Sequence, residues 1–114
     1  MTVRAILAGI AGGALTAVIG WSSLIPNPLA FHSVVLAVIG AIYLGFALND
    51  GRLPIMVLEG LVGTAFLVLA FLGLWWAPAV VGIGLVLHGI WDLLHRPRLI
   101  TTKLPAWYPA FCAA

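Results

Sequence analysis

A chain of 114 residues that is 64% hydrophobic and only 7% charged has too few polar side chains to cover the surface of a soluble globule. This composition excludes an ordinary soluble domain and predicts an integral membrane protein. The net charge of +2 does not indicate a nucleic-acid partner, because the basic residues stand singly or in pairs without a patch of interleaved aromatic residues.

Four apolar segments are long enough to cross a bilayer core about 30 Å thick, which requires about 20 helical residues. They cover approximately residues 5–25, 29–48, 54–76 and 77–95, and residues 96–114 form a tail. Residues typical of turns separate them, namely Pro26-Asn27-Pro28, Asn49-Asp50-Gly51 and Pro78. Because further spans follow the first segment, we expect it to be a retained helix and not a cleaved signal. The sequence therefore predicts an all-α, integral membrane four-helix bundle in a single domain.

The positions of the basic residues provide an independent check on four spans. They lie before the first segment, between the second and third, or after the fourth: Arg4, Arg52, Arg96, Arg98 and Lys103. Positive residues collect on the cytoplasmic side of membrane proteins, so both termini are predicted to be cytoplasmic in a multi-pass protein. Trp21, Trp75 and Trp76 then fall at the outer interface, and Trp91, Trp107 and Tyr108 near the inner one.

The tail is apolar but too short to cross the membrane, and Pro105 and Pro109 interrupt it. We expect it to form a short interfacial or packed segment. Its apolar end is also consistent with a chain that continues past Ala114. Cys112 is the single cysteine, so no internal disulfide is expected. We expect Cys112 to act as a small hydrophobic residue that packs within the protein or contacts lipid.

The first segment carries small residues at four-residue intervals, namely Ala5, Gly9, Gly13 and Ala17. Such a ladder allows another helix to approach closely. Packing within the chain and the seam of a homodimer are the two uses of this ladder that remain open. Membrane lipids are the other expected partner, and no nucleic acid is expected.

Ionisable residues inside a span cost at least a few kcal/mol each, so they are expected to be paired or functional. Glu59 lies about 7 Å into the third segment, and His88, Asp92 and His95 lie in the last turns of the fourth. These last three follow the spacing i, i+4, i+7, which places them within an arc of about 60° on one helix face. The sequence therefore predicts one polar pocket near the cytoplasmic face, lined also by Tyr43, Asn49, Asp50 and Trp91.

Two interpretations of this pocket need no metal. In a structural network, Asp92 accepts from His88, His95 or Tyr43, while Glu59 pairs with Arg52 or a protonated histidine. In an acid/base or proton-relay site, the catalytic groups are His88, Asp92 and Glu59, with displaced pKa values suited to proton exchange.

The third interpretation is a metal site for zinc or iron, with His88, Asp92, His95 and Glu59 as ligands. His88 and His95 lie about 10.5 Å apart along the helix axis. One ion would therefore bind Asp92, one of the two histidines and Glu59, whereas two ions bridged by Asp92, or a dimer, would use all four residues.

Three stretches, AIYLGFALNDGR, HGIWDLLHR and LPAWYPAFC, are similar to an uncharacterised family of small bacterial multi-span membrane proteins. The family is marked by a His-Gly-x-Trp-Asp-x-x-His signature, formed here by His88, Gly89, Trp91, Asp92 and His95. Members often carry a second histidine after the last one and a Tyr-Asp pair after the cysteine, whereas this sequence has Arg96 and ends at Ala114. The resemblance covers the chain from the second half of the second segment onward. It implies where the site lies and a location in a bacterial inner membrane, and it assigns no activity.

Together these patterns favour a cytoplasm-side pocket that binds or acts on a small or lipid-like molecule, with metal assistance as one form of that function. A non-catalytic structural or assembly subunit and a small proton-coupled carrier are the alternatives. The residues alone leave open whether the protein is an enzyme.

Overall fold

The computed structural model describes residues 3–95 and 99–114, so Arg96 and Arg98, two of the residues used to predict the topology, lie outside the described residues. The described part consists of helices without a strand. These are α1 Val3–Gly20, α2 Pro28–Asp50, α3 Leu53–Trp75, α4 Ala79–His95 and α5 Tyr108–Ala113. The predicted all-α class is confirmed.

Helices α1, α2 and α3 are each long and apolar enough to cross a membrane, with 18, 23 and 23 residues and mean hydropathies of 1.8, 2.1 and 2.3. Helix α4 is also apolar but has 17 residues. At about 1.5 Å per residue its length is about 25 Å. Large hydrophobic side chains are exposed along all four helices, among them Leu15, Val34, Leu61 and Val86. Exposed apolar surface on this scale marks a face that contacts lipid or a partner protein.

Helix α1 ends at Gly20, before the predicted boundary near residue 25. The local reason is Ser22, whose hydroxyl donates to the carbonyl oxygen of Ile19 at 2.7 Å and accepts from the backbone N–H of Leu24 at 3.3 Å. Serine side chains that bond nearby backbone groups compete with helical hydrogen bonds. The chain therefore leaves the helix here, although the hydrophobic pattern continues to Ile25.

The loop between α2 and α3 reverses the chain within two residues, Gly51 and Arg52. Gly51 adopts the left-handed φ of 76°, and its N–H donates to the carbonyl oxygen of Ala47 at 3.3 Å. The two helices run antiparallel, and their backbones approach each other at Gly40 and Gly63. A Cβ atom at Gly40 would lie only 2.6 Å from the carbonyl oxygen of Gly63, so this pair depends on glycine for its close packing.

Helix α4 packs against the α2–α3 pair and completes the core. Gly73 of α3 leaves room for Val81, and Gly84 of α4 leaves room for Leu36 of α2. The apolar core that results is formed by Leu36, Tyr43, Phe66 and Ala70. The face of α4 that carries Val81 and Gly84 continues with three buried polar residues, His88, Asp92 and His95. Helix α4 thus directs all three polar side chains into the bundle.

The tail folds back onto the bundle. Helix α5 lies against α1 and α4, with Tyr108, Pro109 and Ala110 buried. It packs so closely on α1 that a Cβ atom at Gly9 would collide with the carbonyl oxygen of Phe111. The first half of the small-residue ladder therefore serves packing within the chain. A Cβ atom at Gly13 would face open space in the described part, and a homodimer that uses this second half of the ladder stays a prediction.

Candidate ligand site

Polar side chains from α2, α3, α4 and the tail gather at the end of the bundle that holds the α2–α3 loop. They form three groups. The Glu59 network consists of Glu59, Trp91, His95 and Thr102. The tail clamp consists of Asp50, Arg52, Thr101 and Lys103. The His88 pocket consists of Tyr43, His88, Asp92, Tyr108 and Cys112.

The Glu59 network satisfies a fully buried carboxylate. Glu59 Oε1 accepts from the Thr102 hydroxyl and lies 2.7 Å from His95 Nε2, and Oε2 accepts from Trp91 Nε1 at 3.1 Å. His95 Nδ1 lies 2.9 Å from the backbone carbonyl oxygen of Trp91. A carbonyl oxygen can only accept, so Nδ1 carries a proton, and a second proton lies between Nε2 and Oε1. Each carboxylate oxygen and each ring nitrogen thus has a partner, as expected of a cluster that holds helices together.

The tail clamp attaches the tail to the α2–α3 loop. Asp50 accepts from Arg52 Nε at 2.6 Å and from Nη2 at 2.8 Å, and its Oδ2 also accepts from the backbone N–H of Lys103 at 2.8 Å. Arg52 Nη2 donates to the carbonyl oxygen of Thr101 at 2.5 Å. Arg52 therefore pairs with Asp50, and the partner of Glu59 is a histidine instead, which is the other pairing that the sequence left open.

The His88 pocket leaves buried polar atoms without partners. The Tyr43 hydroxyl donates to Asp92 Oδ1. His88 Nε2 and Asp92 Oδ2 lie 2.9 Å apart, but their orientation does not form a hydrogen bond, and neither atom has a partner among the described residues. His88 is 7% exposed and Asp92 is 0% exposed, so both side chains are shielded from bulk solvent. The aromatic rings of Tyr43 and Phe66 flank the His88 ring.

Helix α5 brings Cys112 to this pocket. Ligand atoms of His88, Asp92 and Cys112 all lie within 4.8 Å of one another. Tyr108, one turn before Cys112, interacts with the thiol through its hydroxyl. Burial raises the pKa of the Cys112 thiol to about 11 and also raises the pKa of the Tyr108 phenol. The thiol and the phenol are therefore neutral near pH 7 in the absence of a ligand.

The residues predicted from the sequence are divided between the three groups. Glu59 and His95 pair with each other, whereas His88 and Asp92 lie together one to two turns deeper, so the four predicted metal ligands do not converge on one point. Tyr43 connects the two clusters, because its hydroxyl bonds Asp92 while its ring stacks on the His95 ring with centroids 6.0 Å apart. The other predicted lining residues are placed elsewhere: Trp91 bonds Glu59, Asp50 belongs to the tail clamp, and Asn49 is exposed.

Sequence reasoning did not find Thr102, Tyr108 or Cys112. All three belong to the tail, whose apolar composition indicated only a short segment at the interface or in packing. A signal was nevertheless present, since the stretch LPAWYPAFC, one of those that carry the family resemblance, contains Tyr108 and Cys112. Where a chain already contains a predicted polar site, a polar or nucleophilic residue in a stretch that carries the family resemblance is a candidate member of that site.

Comparison with known protein families gives one match. The model of a family of unknown function, DUF6010, matches residues 2–104, which is consistent with the resemblance to an uncharacterised family. The matched range contains the Glu59 network, the tail clamp and the α2 and α4 residues of the His88 pocket, and it ends before Tyr108 and Cys112. No curated protein and no solved structure matches the chain.

Proposed function

We propose that this chain, which belongs to the DUF6010 family of unknown function, is a small membrane-embedded protein whose His88 pocket binds a ligand. In this proposal the Glu59 network and the tail clamp are structural and hold the helices and the tail in place. The pocket opens toward the cytoplasmic side of a bacterial inner membrane, with α1 to α4 as the four spans and both termini on that side.

The lengths and surfaces of the helices support membrane insertion. Helices α1 to α3 meet the length and hydropathy needed for a span, and α4, at about 25 Å, is close to the thickness of the hydrocarbon core. Arg52 and Lys103 both contact Asp50, so two basic positions that are distant in sequence meet at one end of the bundle. Basic residues at a shared end are typical of the cytoplasmic face.

One observation carries the proposal of a ligand pocket: His88 Nε2 and Asp92 Oδ2 are buried without a hydrogen-bond partner in the described part of the chain. Leaving a buried polar group unpaired costs about 1–3 kcal/mol. Unpaired atoms do not help a network to hold helices together. In the neighbouring Glu59 network, both carboxylate oxygens have hydrogen-bond partners. Buried polar atoms without hydrogen-bond partners, side by side in one cluster, are expected where a ligand supplies the missing partner.

The same atoms also suit acid/base chemistry on a bound molecule, which is the second candidate function. The specific observation in its favour is the continuous arrangement of the Tyr43 hydroxyl, the Asp92 carboxylate and the His88 imidazole. A carboxylate held by one donor beside a histidine is a common arrangement for a general base. Glu59 is not part of this arrangement, because both of its oxygens are already bonded.

Replacing each of two histidines on the same face of α4 by leucine separates a ligand pocket from a structural network. His95→Leu leaves the buried Glu59 carboxylate without its ionic partner, and we expect the free energy of unfolding to fall by about 3–5 kcal/mol. His88→Leu removes a ring nitrogen that makes no hydrogen bond and only approaches Asp92 Oδ2 at 2.9 Å, so we expect a change of less than about 1 kcal/mol or an increase in stability. The measurement is reversible unfolding of the purified protein in detergent micelles. Large and equal losses in both variants would show that the His88 pocket is structural.

A further inference from the structure

A third donor side chain accompanies the two unpaired atoms of the His88 pocket. Cys112 reaches the pocket from α5, and its sulfur lies within 4.8 Å of the ligand atoms of His88 and Asp92. We propose that the ligand of this pocket is a divalent transition-metal ion of the zinc class, bound by His88 Nε2, Asp92 Oδ2 and Cys112 Sγ. This inference rests on the proposed function, since it names the chemical class of the ligand that the pocket takes.

The spacing of the donor atoms is suitable for one ion. Zinc binds imidazole nitrogen, carboxylate oxygen and thiolate sulfur at about 2.0–2.3 Å, so the ligand atoms of a tetrahedral site lie about 3.3–3.8 Å apart. His88 Nε2 and Asp92 Oδ2, at 2.9 Å, have to separate by about half an ångström, and the sulfur has to approach by no more than about 1 Å. Small rotations of these side chains supply both movements. The backbone already provides the correct placement, because residues at i and i+4 share one face of α4.

The hydrogen bond between Tyr43 and the Asp92 carboxylate is also typical of a metal site. The Tyr43 hydroxyl bonds Asp92 Oδ1, which fixes the orientation of the carboxylate and leaves Oδ2 as the free oxygen. Metal-binding carboxylates and imidazoles are commonly oriented by such hydrogen bonds from outside the ligand set. Tyr43 is fully buried and stacked on His95, so its own position is fixed by the bundle.

The chemistry of the donor set selects the class of metal. One thiolate, one imidazole and one carboxylate form a borderline-soft set, which favours Zn²⁺ and its relatives Fe²⁺ and Co²⁺ over Mg²⁺ or Ca²⁺, which prefer oxygen ligands. Three protein ligands leave the fourth position of a tetrahedral ion available for water or a small substrate, the pattern of catalytic and not of structural zinc. The Tyr108 hydroxyl interacts with the Cys112 thiol, so it lies next to the proposed ligand set.

The alternative chemistry for Cys112 beside a histidine and an aspartate is that of a cysteine nucleophile. Reactive cysteines lie in electropositive and partly exposed surroundings that stabilise the thiolate. Cys112 is half-buried, and its sulfur lies within 4.8 Å of the Asp92 carboxylate, whose negative charge opposes a thiolate, while His88 is already adjacent to that same carboxylate. A metal ion supplies that positive charge, and at the same time it provides a partner for His88 and Asp92.

Cobalt is the probe that tests the inference, because its spectrum reports both geometry and thiolate ligation. The full chain, purified in detergent and stripped with a chelator, is titrated with Co²⁺ and then with Zn²⁺. We expect one ion per chain, intense visible bands of a tetrahedral site, and a near-ultraviolet sulfur-to-cobalt band that is lost in Cys112→Ser. Asp92→Asn and His88→Gln should each weaken Zn²⁺ binding by at least about 100-fold, since each removes a direct ligand. His32→Gln, which changes a histidine near the other end of the bundle, should leave binding unchanged.

Three outcomes would overturn the inference. The first is wild-type protein that binds no Co²⁺ stoichiometrically, a result that does not depend on the folding of any variant. The second is binding without the sulfur-to-cobalt band, which removes Cys112 from the ligand set. The third is binding that survives in Cys112→Ser and His88→Gln but is lost in His95→Gln, which returns the metal to the Glu59 network. If His88→Leu nevertheless stays as stable as wild type, the proposal of a ligand pocket stands and only the metal is wrong, so the two proposals fail separately.

Discussion

The Glu59 network and the His88 pocket both use helix α4, and each contains one carboxylate and one histidine, yet they treat their polar atoms differently. Glu59 accepts from three side chains on two other segments of the chain, and its histidine bonds at both ring nitrogens. Asp92 accepts from one tyrosine, and its second oxygen has no partner in the described part. Composition alone therefore does not distinguish a structural cluster from a binding site, whereas the hydrogen bonding of the individual polar atoms does.

The largest expected effect is in the Glu59 network, where the carboxylate oxygens and the histidine nitrogens all have partners. Glu59→Ala leaves the His95 imidazole, the Trp91 indole and the Thr102 hydroxyl buried with no carboxylate to accept their hydrogen bonds. We expect the free energy of unfolding in detergent to fall by about 3–5 kcal/mol. Glu59→Gln is the control, because the amide oxygen can still accept, and its loss should be clearly smaller. A loss of less than about 1 kcal/mol in Glu59→Ala would contradict a structural role.

The next prediction concerns the one hydrogen bond inside the His88 pocket. Tyr43→Phe removes the donor to Asp92, and we expect a loss of about 1–3 kcal/mol in the metal-free protein. If Tyr43 orients a metal-binding carboxylate, the variant also binds Zn²⁺ about 10–100-fold more weakly. The stability difference from wild type must then grow when Zn²⁺ is added, by about 1.4–2.7 kcal/mol at saturation. A difference that is the same with and without Zn²⁺ would separate Tyr43 from the ligand.

Two adjacent threonines of the tail provide a smaller and internally controlled test. Thr102 is buried, and its hydroxyl donates to Glu59. Thr101 is exposed, and its hydroxyl accepts one long hydrogen bond, of 3.4 Å, from Arg52 Nη1. Thr102→Val should cost about 1 kcal/mol, and Thr101→Val close to nothing. Zn²⁺ should leave the effect of Thr102→Val unchanged, in contrast to Tyr43→Phe. Equal effects of the two threonine variants would show that the tail does not contribute to the Glu59 network.

The helical segments and the polar face of α4 could be predicted from the sequence, because both depend on local patterns of residues. Long apolar segments separated by turn residues predict helices, and the spacing of His88, Asp92 and His95 places them on one face whatever α4 packs against. The end of α1 was not accessible in the same way, since the Ser22 hydroxyl stops the helix where hydropathy continues. Hydropathy measures affinity for lipid, and it does not report competition for backbone hydrogen bonds.

The division of the polar layer and the role of Cys112 were not accessible, because both depend on packing between segments distant in sequence. Depth along a span does not determine which residue of α4 meets Glu59, since the answer depends on how α3 and α4 cross. Cys112 reaches His88 only because α5 folds back against α1, where Gly9 allows its backbone to approach. A small apolar residue near the end of a tail gives no local indication of that contact.

The smallest expected effect is at the tail clamp, which lies closest to solvent. Arg52→Gln removes the bidentate pair with Asp50 and the bond to the Thr101 carbonyl. The Asp50 side chain is buried, but Arg52 is 47% exposed and Asp50 keeps the backbone N–H of Lys103 as a donor, so we expect the free energy of unfolding to fall by less than about 1 kcal/mol. The effect should instead be local. Backbone hydrogen exchange in residues 101–103 should become several-fold faster while exchange in the middle of α2 and α3 stays unchanged. Lys103→Gln is the control, because Lys103 uses its backbone N–H on Asp50 and that group survives the substitution.

If Arg52→Gln also accelerates alkylation of Cys112 in the metal-free protein, the clamp holds α5 in place as well as the tail that precedes it. If Cys112 is unaffected, the packing of α5 on α1 suffices to place the thiol at the pocket.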